Sequence, residues 1–62
     1  MKRAKLIEIV IASGAEFFRR GGNHDIYINS KTGVQEPIAR HRDIPEGLAK
    51  RIIKRLKAQT LI

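Results

Sequence analysis

The residue types best suited to chemistry fall in one short run that ends in His24. Histidine gives or takes a proton near neutral pH, because its ordinary pKa is about 6.5. The arginines just upstream, Arg19 and Arg20, carry fixed charges that suit a phosphate group. Between the arginines and the histidine, Gly21 and Gly22 permit a tight turn with positive φ and leave room for a large ligand. The run predicts a phosphate-handling site, although a hairpin turn followed by a solvated histidine is the simpler interpretation.

The net charge indicates the same class of ligand. Thirteen Lys and Arg residues against six Asp and Glu give a formal charge of +7 and a pI near 10.6. Such a surplus suits a polyanion, with nucleic acid first and an acidic protein or a membrane surface as alternatives. The absence of cysteine excludes disulfides, thiolate zinc sites and thiol nucleophiles. A chain of 62 residues has little room for a deep pocket, so we expect no small-molecule cofactor.

Residues 1–15 superficially resemble a secretion signal, with a basic start, an apolar run and small residues at the end. However, Glu8 interrupts the apolar run, and cleavage would leave a short chain without cysteine. No apolar stretch has the length that a membrane span needs. We therefore expect a cytoplasmic protein with no membrane partner.

A first helix is predicted over residues 2–13. Its apolar residues recur at the spacing of one helical face, and Gly14 follows at a position where helices commonly end. The face expected to be buried consists of Leu6, Ile7, Val10 and Ile11.

A second helix is predicted over residues 45–57. Asp43 is expected to cap its start, and Pro45 fits its first turn. The side expected to be buried consists of Leu48, Ile52 and Leu56, with Ala49 and Ile53 beside them. The opposite side holds Lys50, Arg51, Lys54, Arg55 and Lys57. No acidic residue follows Glu46, so this basic side favours contact with a nucleic-acid backbone.

Three strands are predicted between the helices, over residues 15–20, 24–29 and 34–38. The glycine pair joins the first two strands, and the second turn ends at Gly33, which fits a left-handed position. Pro37 restricts the third strand to an edge of the sheet or ends it early.

Side chains alternate along the middle strand, so Ile26 and Ile28 share a face with His24 while Tyr27 lies on the other face. The two isoleucines suggest that theirs is the face covered by the helices. A histidine buried there would be structural, so a chemical role requires that its ring emerge at the end of the sheet.

The order of elements is therefore α-β-β-β-α. This is an α+β fold in one domain, with a three-stranded antiparallel sheet and two helices on one of its faces. The architecture resembles that of double-stranded-RNA-binding domains, which recognise RNA mainly through shape and backbone.

Three short motifs follow one another along the chain: Gly22-Asn23-His24-Asp25-Ile26-Tyr27, Arg40-His41 and Ile44-Pro45-Glu46-Gly47. In order and spacing they resemble the HicA toxin family, the small mRNA interferases of type II toxin–antitoxin pairs. Its members carry a Gly-Ser/Thr-His-x-Ile-aromatic run, a Pro-Arg-His segment and an Ile-Pro-x-Gly helix start. The likeness covers about residues 4–57. The chain departs from it at Asn23, which replaces a small hydroxyl residue, and at Ala39, which replaces a proline.

The resemblance implies an endoribonuclease that cleaves mRNA without a metal ion or cofactor and is inhibited by a HicB-like antitoxin. It also implies that His24 is the one essential catalytic residue, acting as general acid or base. Contacts to RNA or phosphate are then expected near the glycine turn, after the third strand and on the basic side of the second helix. The expected residues are Arg19, Arg20, Gly21, Gly22, Asn23, Arg40, His41, Lys50, Arg51 and Lys54.

Several assignments have alternatives at this level. His41 is a candidate for a second proton-transfer group or for a contact to the RNA backbone. Asp25 either orients a neighbouring base or lies solvated at the strand end, and Tyr27 either stacks a base or packs on the sheet. A metal site built from His24, Asp25 and His41 is a further alternative.

Two other functions compete for the whole chain. One is a non-catalytic RNA-binding module that uses the same fold and charge. The other is a small DNA-binding or ribosomal protein, against which the second helix lacks a base-reading set of Asn, Gln and Arg at its N-terminal end.

Overall fold

Residues 1–57 are described by a computed structural model, in the order α1 (Arg3–Ala12), β1 (Ala15–Arg20), β2 (His24–Asn29), β3 (Val34–Ala39) and α2 (Glu46–Leu56). The strands form one antiparallel sheet with β2 in the centre. Both helices cover the same face of the sheet, so the predicted α+β fold is confirmed. The bounds of β1 and β2 are those predicted, β3 runs one residue further, and each helix is one residue shorter at either end. Neither helix is long and apolar enough to cross a membrane.

The core between helices and sheet is built from a small set of apolar side chains. Leu6 and Val10 of α1 are buried, whereas Ile11, expected on the same face, is exposed. In α2 the expectation for Leu48 is wrong, because this side chain is exposed and Ala49 faces the core instead. The buried stripe of α2 is Ala49, Ile52 and Leu56, at helical spacings of three and four residues.

The start of α2 differs from the prediction as well. Pro45 occupies the N-cap position, and no side chain hydrogen-bonds to this helix end. Asp43 is drawn into another contact, since its Oδ1 lies 3.7 Å from the Lys2 ammonium and the two residues form an isolated antiparallel bridge. Glu46 lies in the first turn, where a negative charge is favourable.

The face of the sheet turned toward the helices is the opposite of the one predicted. Tyr27 and Asn29 of β2 are buried under the helices, and Ile26 and Ile28 lie half-buried on the uncovered face. Asn29 explains the reversal, because its amide nitrogen donates a hydrogen bond of 2.9 Å to the Leu56 carbonyl at the end of α2. A buried amide paired in this way is stable in a core, whereas an unpaired one would be costly.

The edge strands and turns follow the prediction more closely. β3 is an edge strand, which accommodates Pro37. Gly14 ends α1 with a φ of 107°, and Gly33 in the β2–β3 turn has a φ of 79°. In β1 the pairing shifts between Phe17 and Arg19, which marks a bulge.

Candidate active site around His24

A groove of about 360 Å³ lies where β2 begins and β3 ends. It is lined by Asn23, His24, Ala39, Arg40 and His41. Strand pairing builds this groove, since His24 lies opposite Ala39 and the residues after β3 therefore continue past the histidine. Both histidines of the chain thus border one space, although seventeen positions separate them in sequence.

His24 is exposed and belongs to the uncovered face of the sheet. Ile26 pairs with Pro37 of β3, and alternation along β2 puts His24 on the same side as Ile26. Because the helices cover the other face, the expected conflict between core burial and a chemical role for this ring disappears. An exposed imidazole at the rim of a groove can reach a bound ligand.

The turn before His24 is tight without the positive φ values expected for its glycines. Within residues 1–57 positive φ values occur at Gly14 and Gly33, not at Gly21 or Gly22. The Gly21 N–H donates a hydrogen bond of 2.7 Å to the His24 carbonyl, and a Cβ on Gly21 would lie only 2.9 Å from that oxygen. Glycine is therefore required at position 21 by close backbone approach, whereas a Cβ on Gly22 would meet nothing within 4 Å.

Arg40 holds this turn from outside. Its Nη1 donates to the Gly22 carbonyl at 2.7 Å, and its Nη2 donates to the carbonyls of Gly21 at 2.8 Å and His24 at 3.3 Å. Its Nε donates to Oδ1 of Asp25 at 3.1 Å. Four of the five N–H donors of a guanidinium are thus used within the chain.

Asp25 connects Arg40 to the first helix. Its Oδ2 accepts a hydrogen bond of 2.9 Å from Nη2 of Arg3, whose Nε donates to the Ala39 carbonyl at 2.8 Å. Burial alone raises the pKa of the Asp25 carboxyl, but the hydrogen bonds and charges of Arg40 and Arg3 outweigh it and hold the pKa below its ordinary 3.8. The Asp25 side chain is only 19% exposed, so it is neither solvated nor free to orient a base. Sequence analysis missed Arg3 entirely, because nothing local links the first helix to the turn.

The segment after β3 is fastened to the start of α1 through the backbone as well. The Arg3 N–H donates to the Arg42 carbonyl at 2.8 Å, and the Ile44 N–H donates to the Met1 carbonyl at 2.8 Å. The groove wall that carries Arg40 and His41 is therefore anchored on both sides.

The other residues expected to contact RNA lie outside the groove lining. In β1, Arg19 pairs with Ile26 and Arg20 pairs with Asp25, so the two arginines lie on opposite faces of the sheet. Both are exposed, as are the expected side chains of α2, namely Lys50, Arg51 and Lys54.

Burial and pairing bear on three further expectations. Tyr27 is buried in the core, so it packs on the sheet and does not stack a base. Arg55, on the basic side of α2, forms an ion pair with Glu36. In the part of the chain described, no group of three His, Cys, Asp or Glu side chains is arranged to hold a metal, and both oxygens of Asp25 are engaged by arginines. A larger groove of about 590 Å³ near the start of α1 is lined by Lys2, Arg3, Ala4, Ile7 and Arg42, and its lining contains no histidine or carboxylate.

Comparison with known proteins adds one finding. A protein-family model described as HicA toxin of bacterial toxin-antitoxin matches residues 3–58, which include the turn, His24 and the segment after β3. No curated protein and no solved structure matches the chain. Since the matched segment spans nearly the whole chain, this protein belongs to the HicA family, the toxins of bacterial toxin–antitoxin systems.

Proposed function

We propose that this toxin is an endoribonuclease that cleaves mRNA, with His24 as general acid or base and with no metal ion or cofactor in the scheme. The observation that carries the proposal is the exposed His24 imidazole at a groove that also contains Asn23, Arg40 and His41. A groove bordered by two imidazoles, on a chain of charge +7, suits the cleavage of a polyanion.

The chemistry follows from the substrate. RNA carries its own nucleophile, the 2′-OH beside each phosphate. One group removes its proton while the oxygen attacks phosphorus, and a second protonates the departing 5′-oxygen. The products are a 2′,3′-cyclic phosphate and a 5′-OH. A positioned imidazole contributes about 10²–10⁴-fold to such a proton transfer.

Two backbone donors at the turn suit the charge that develops on the phosphoryl oxygens. The Gly21 N–H is used by the His24 carbonyl. Across residues 1–57 the N–H groups of Gly22 and Asn23 donate no hydrogen bond, which leaves them available at the rim of the groove. Preorganised N–H donors of this kind stabilise an oxyanion strongly when water is excluded.

His41 is the best candidate for the second proton transfer, because it borders the same groove as His24. We expect His41→Ala to slow cleavage by about 10²–10⁴-fold. A substrate with sulfur in place of the bridging 5′-oxygen needs no protonation of its leaving group. If His41 is the acid, that substrate restores most of the rate of His41→Ala; an equal loss on both substrates contradicts this role.

In this proposal the exposed lysines and arginines bind the RNA through its phosphates. For single-stranded RNA the logarithm of the binding constant falls with the logarithm of salt concentration by about 0.7 per phosphate contact. Lys50→Ala and Lys54→Ala should each reduce this slope by about that amount without changing the rate at saturating RNA. Lys31→Ala, in the exposed β2–β3 turn, is the matched control.

The family implies an antitoxin as partner, and we propose that it is HicB-like and covers His24. An acidic surface on that partner would complement the charge of the toxin. The antitoxin should inhibit RNA cleavage by the toxin less strongly as the salt concentration rises.

The decisive experiment is expression of His24→Ala beside the wild type and beside Gln35→Ala, an exposed substitution on β3. We expect the wild type and Gln35→Ala to arrest growth and to leave RNA with cyclic-phosphate ends. His24→Ala should do neither, although its circular dichroism spectrum should match that of the wild type. Products that carry only 5′-phosphates, or full toxicity of His24→Ala, would contradict the scheme. A wild type that binds RNA and leaves it intact would favour the non-catalytic RNA-binding module.

A further inference from the structure

We propose that Arg40 is a positioning residue for His24, held in place by Asp25 and Arg3, and that phosphate binding is not its main role. This inference rests on the proposed catalytic function of His24. It replaces the expectation that Arg40 is primarily a ligand of RNA.

The first argument is the use of its donors. The carbonyls of Gly21, Gly22 and His24 converge on one guanidinium, at distances of 2.8, 2.7 and 3.3 Å. With Asp25 also bound, one N–H of Nη1 remains. A two-pronged grip on phosphate needs two parallel donors, so it would require that Arg40 release part of the turn.

The second argument is that the turn has little else to hold it. Within residues 1–57, its internal backbone bond is the one from the Gly21 N–H to the His24 carbonyl, besides which the Arg40 N–H approaches the Asn23 carbonyl at 3.4 Å. The guanidinium is planar and presents its donors in a fixed fork, which matches several converging acceptors. A lysine ammonium is a point charge and cannot reproduce that geometry.

The third argument is the support behind Arg40. Asp25 bonds Arg40 through Oδ1 and Arg3 through Oδ2, and Arg3 also reaches the Ala39 carbonyl at the end of β3. Alternation along β2 puts the Asp25 side chain on the face opposite His24. Asp25 therefore acts on the imidazole through the backbone and through Arg40, without touching the groove.

These contacts make opposite predictions for the two roles of Arg40. A positioning residue sets where the His24 ring lies, so its loss lowers kcat. A phosphate ligand sets affinity, so its loss raises KM and reduces the salt dependence of binding. Asp25→Asn separates the two roles further. Removal of the negative charge should tighten RNA binding, whereas the loosened turn should lower kcat.

The test compares the wild type with Arg40→Lys, Arg40→Ala and Asp25→Asn. Arg42→Lys, an exposed arginine two residues away, is the matched control. The assay is cleavage of a short single-stranded RNA, with kcat, KM and the salt slope of binding measured separately. A misplaced catalytic group can cost about 10²-fold, so we expect a kcat loss of that order for Arg40→Lys with KM and salt slope nearly unchanged. Added guanidinium ion, at matched ionic strength, should restore part of the kcat of Arg40→Ala.

The opposite pattern overturns the proposal. If Arg40→Lys keeps its kcat while KM rises, or if the salt slope falls by about 0.7 in Arg40→Ala, Arg40 is a phosphate ligand. Equal losses of kcat in Arg42→Lys and Arg40→Lys would also overturn the proposal, because they would show that any arginine substitution in this loop lowers kcat.

A second readout works without catalysis. Amide hydrogen exchange at Gly21, whose N–H donates to the His24 carbonyl, should quicken in Arg40→Lys and Asp25→Asn relative to the wild type, and should stay unchanged in Arg42→Lys. If the wild type cleaves no RNA, the proposed function fails while this comparison still tests the turn. Unchanged exchange in Arg40→Lys would refute the positioning role.

Discussion

The two hairpin turns of this sheet are stabilised in different ways. In the β2–β3 turn the bonds are local: the N–H groups of Thr32 and Gly33 donate to the Asn29 carbonyl at 3.1 and 2.7 Å, and the Lys31 N–H donates to Asn29 Oδ1 at 2.9 Å. Gly33 supplies the left-handed conformation that closes the turn. These hydrogen bonds all form within the five residues 29–33.

The β1–β2 turn depends on distant residues instead. Besides the bond between Gly21 and His24, its carbonyls are held by Arg40, from 16 to 19 residues away. Arg3 reaches the same unit through Asp25, from 22 residues away. The turn that merely reverses the chain is therefore encoded locally, and the turn that carries the proposed catalytic group is encoded by the tertiary fold.

The largest effect expected from this contrast concerns Gly21. In Gly21→Ala a Cβ would lie 2.9 Å from the His24 carbonyl oxygen, so the turn must shift and take His24 with it. A displacement of about 1 Å can cost about 10²-fold in rate, which is the loss of RNA cleavage we expect. The Cβ of Gly22→Ala would meet no atom within 4 Å, so this variant should lose much less of the cleavage rate. Equal rates for the two variants would mean that the turn does not set the position of His24.

A stability effect of about 2 kcal/mol is expected at the other turn from Asn29→Ala. The substitution leaves the Leu56 carbonyl and the Lys31 N–H without their partner. Urea unfolding should show the loss, while RNA cleavage by the folded variant stays close to that of the wild type. Lys31→Ala is the control, because its exposed side chain lies beside the same turn. A tenfold drop in the cleavage rate of folded Asn29→Ala would show that the two turns are coupled.

Gly33→Ala should destabilise the fold by about 1 kcal/mol, because an alanine at a φ of 79° is strained even though space is available. For a domain of this size that corresponds to a fall in Tm of about 4–8 °C. Gly33→Asn should recover part of it, since asparagine tolerates this conformation better. A thermal melt of the three proteins provides the measurement, and an alanine variant as stable as the wild type would contradict the local account.

The smallest effect is a pH dependence of stability at Asp25. Its pKa in the folded chain lies below the ordinary 3.8, so the contribution of this carboxylate is present above that pH and is lost as the pH falls through the folded-state value. The stability difference between wild type and Asp25→Asn should therefore shrink as the pH is lowered from about 5 to about 2. Urea unfolding over that range is the check. A difference that grows with acidity would contradict the lowered pKa.

The sequence predicts the element order well because strong local signals mark it. Gly14, Gly33 and Pro37 each occupy the kind of position that their backbone chemistry dictates. The prediction of the buried sheet face is wrong because Ile26 and Ile28 are together more hydrophobic than Tyr27 and Asn29. What reverses it is the hydrogen bond from Asn29 to Leu56, and no local pattern reveals that partner.

The candidate site shows the same limit. The run before His24 can be read directly, because glycine, arginine and histidine are distinctive together. The positions of His41 and Arg40 beside His24 follow only from the pairing of His24 with Ala39. Asp25 reads as a surface carboxylate until Arg3 and Arg40 are seen on either side of it.

The link from Arg40 to the Gly21 and Gly22 carbonyls also has a consequence for the order of events during synthesis. A nascent chain that has completed its first hairpin already contains His24, yet the guanidinium that holds the bend has not left the ribosome. The bend reaches its final shape only after β3 has docked and the later segment has closed over it. If His24 carries the toxic activity, as proposed, this site is completed last, and fragments released early from translation should be harmless to the cell that makes them.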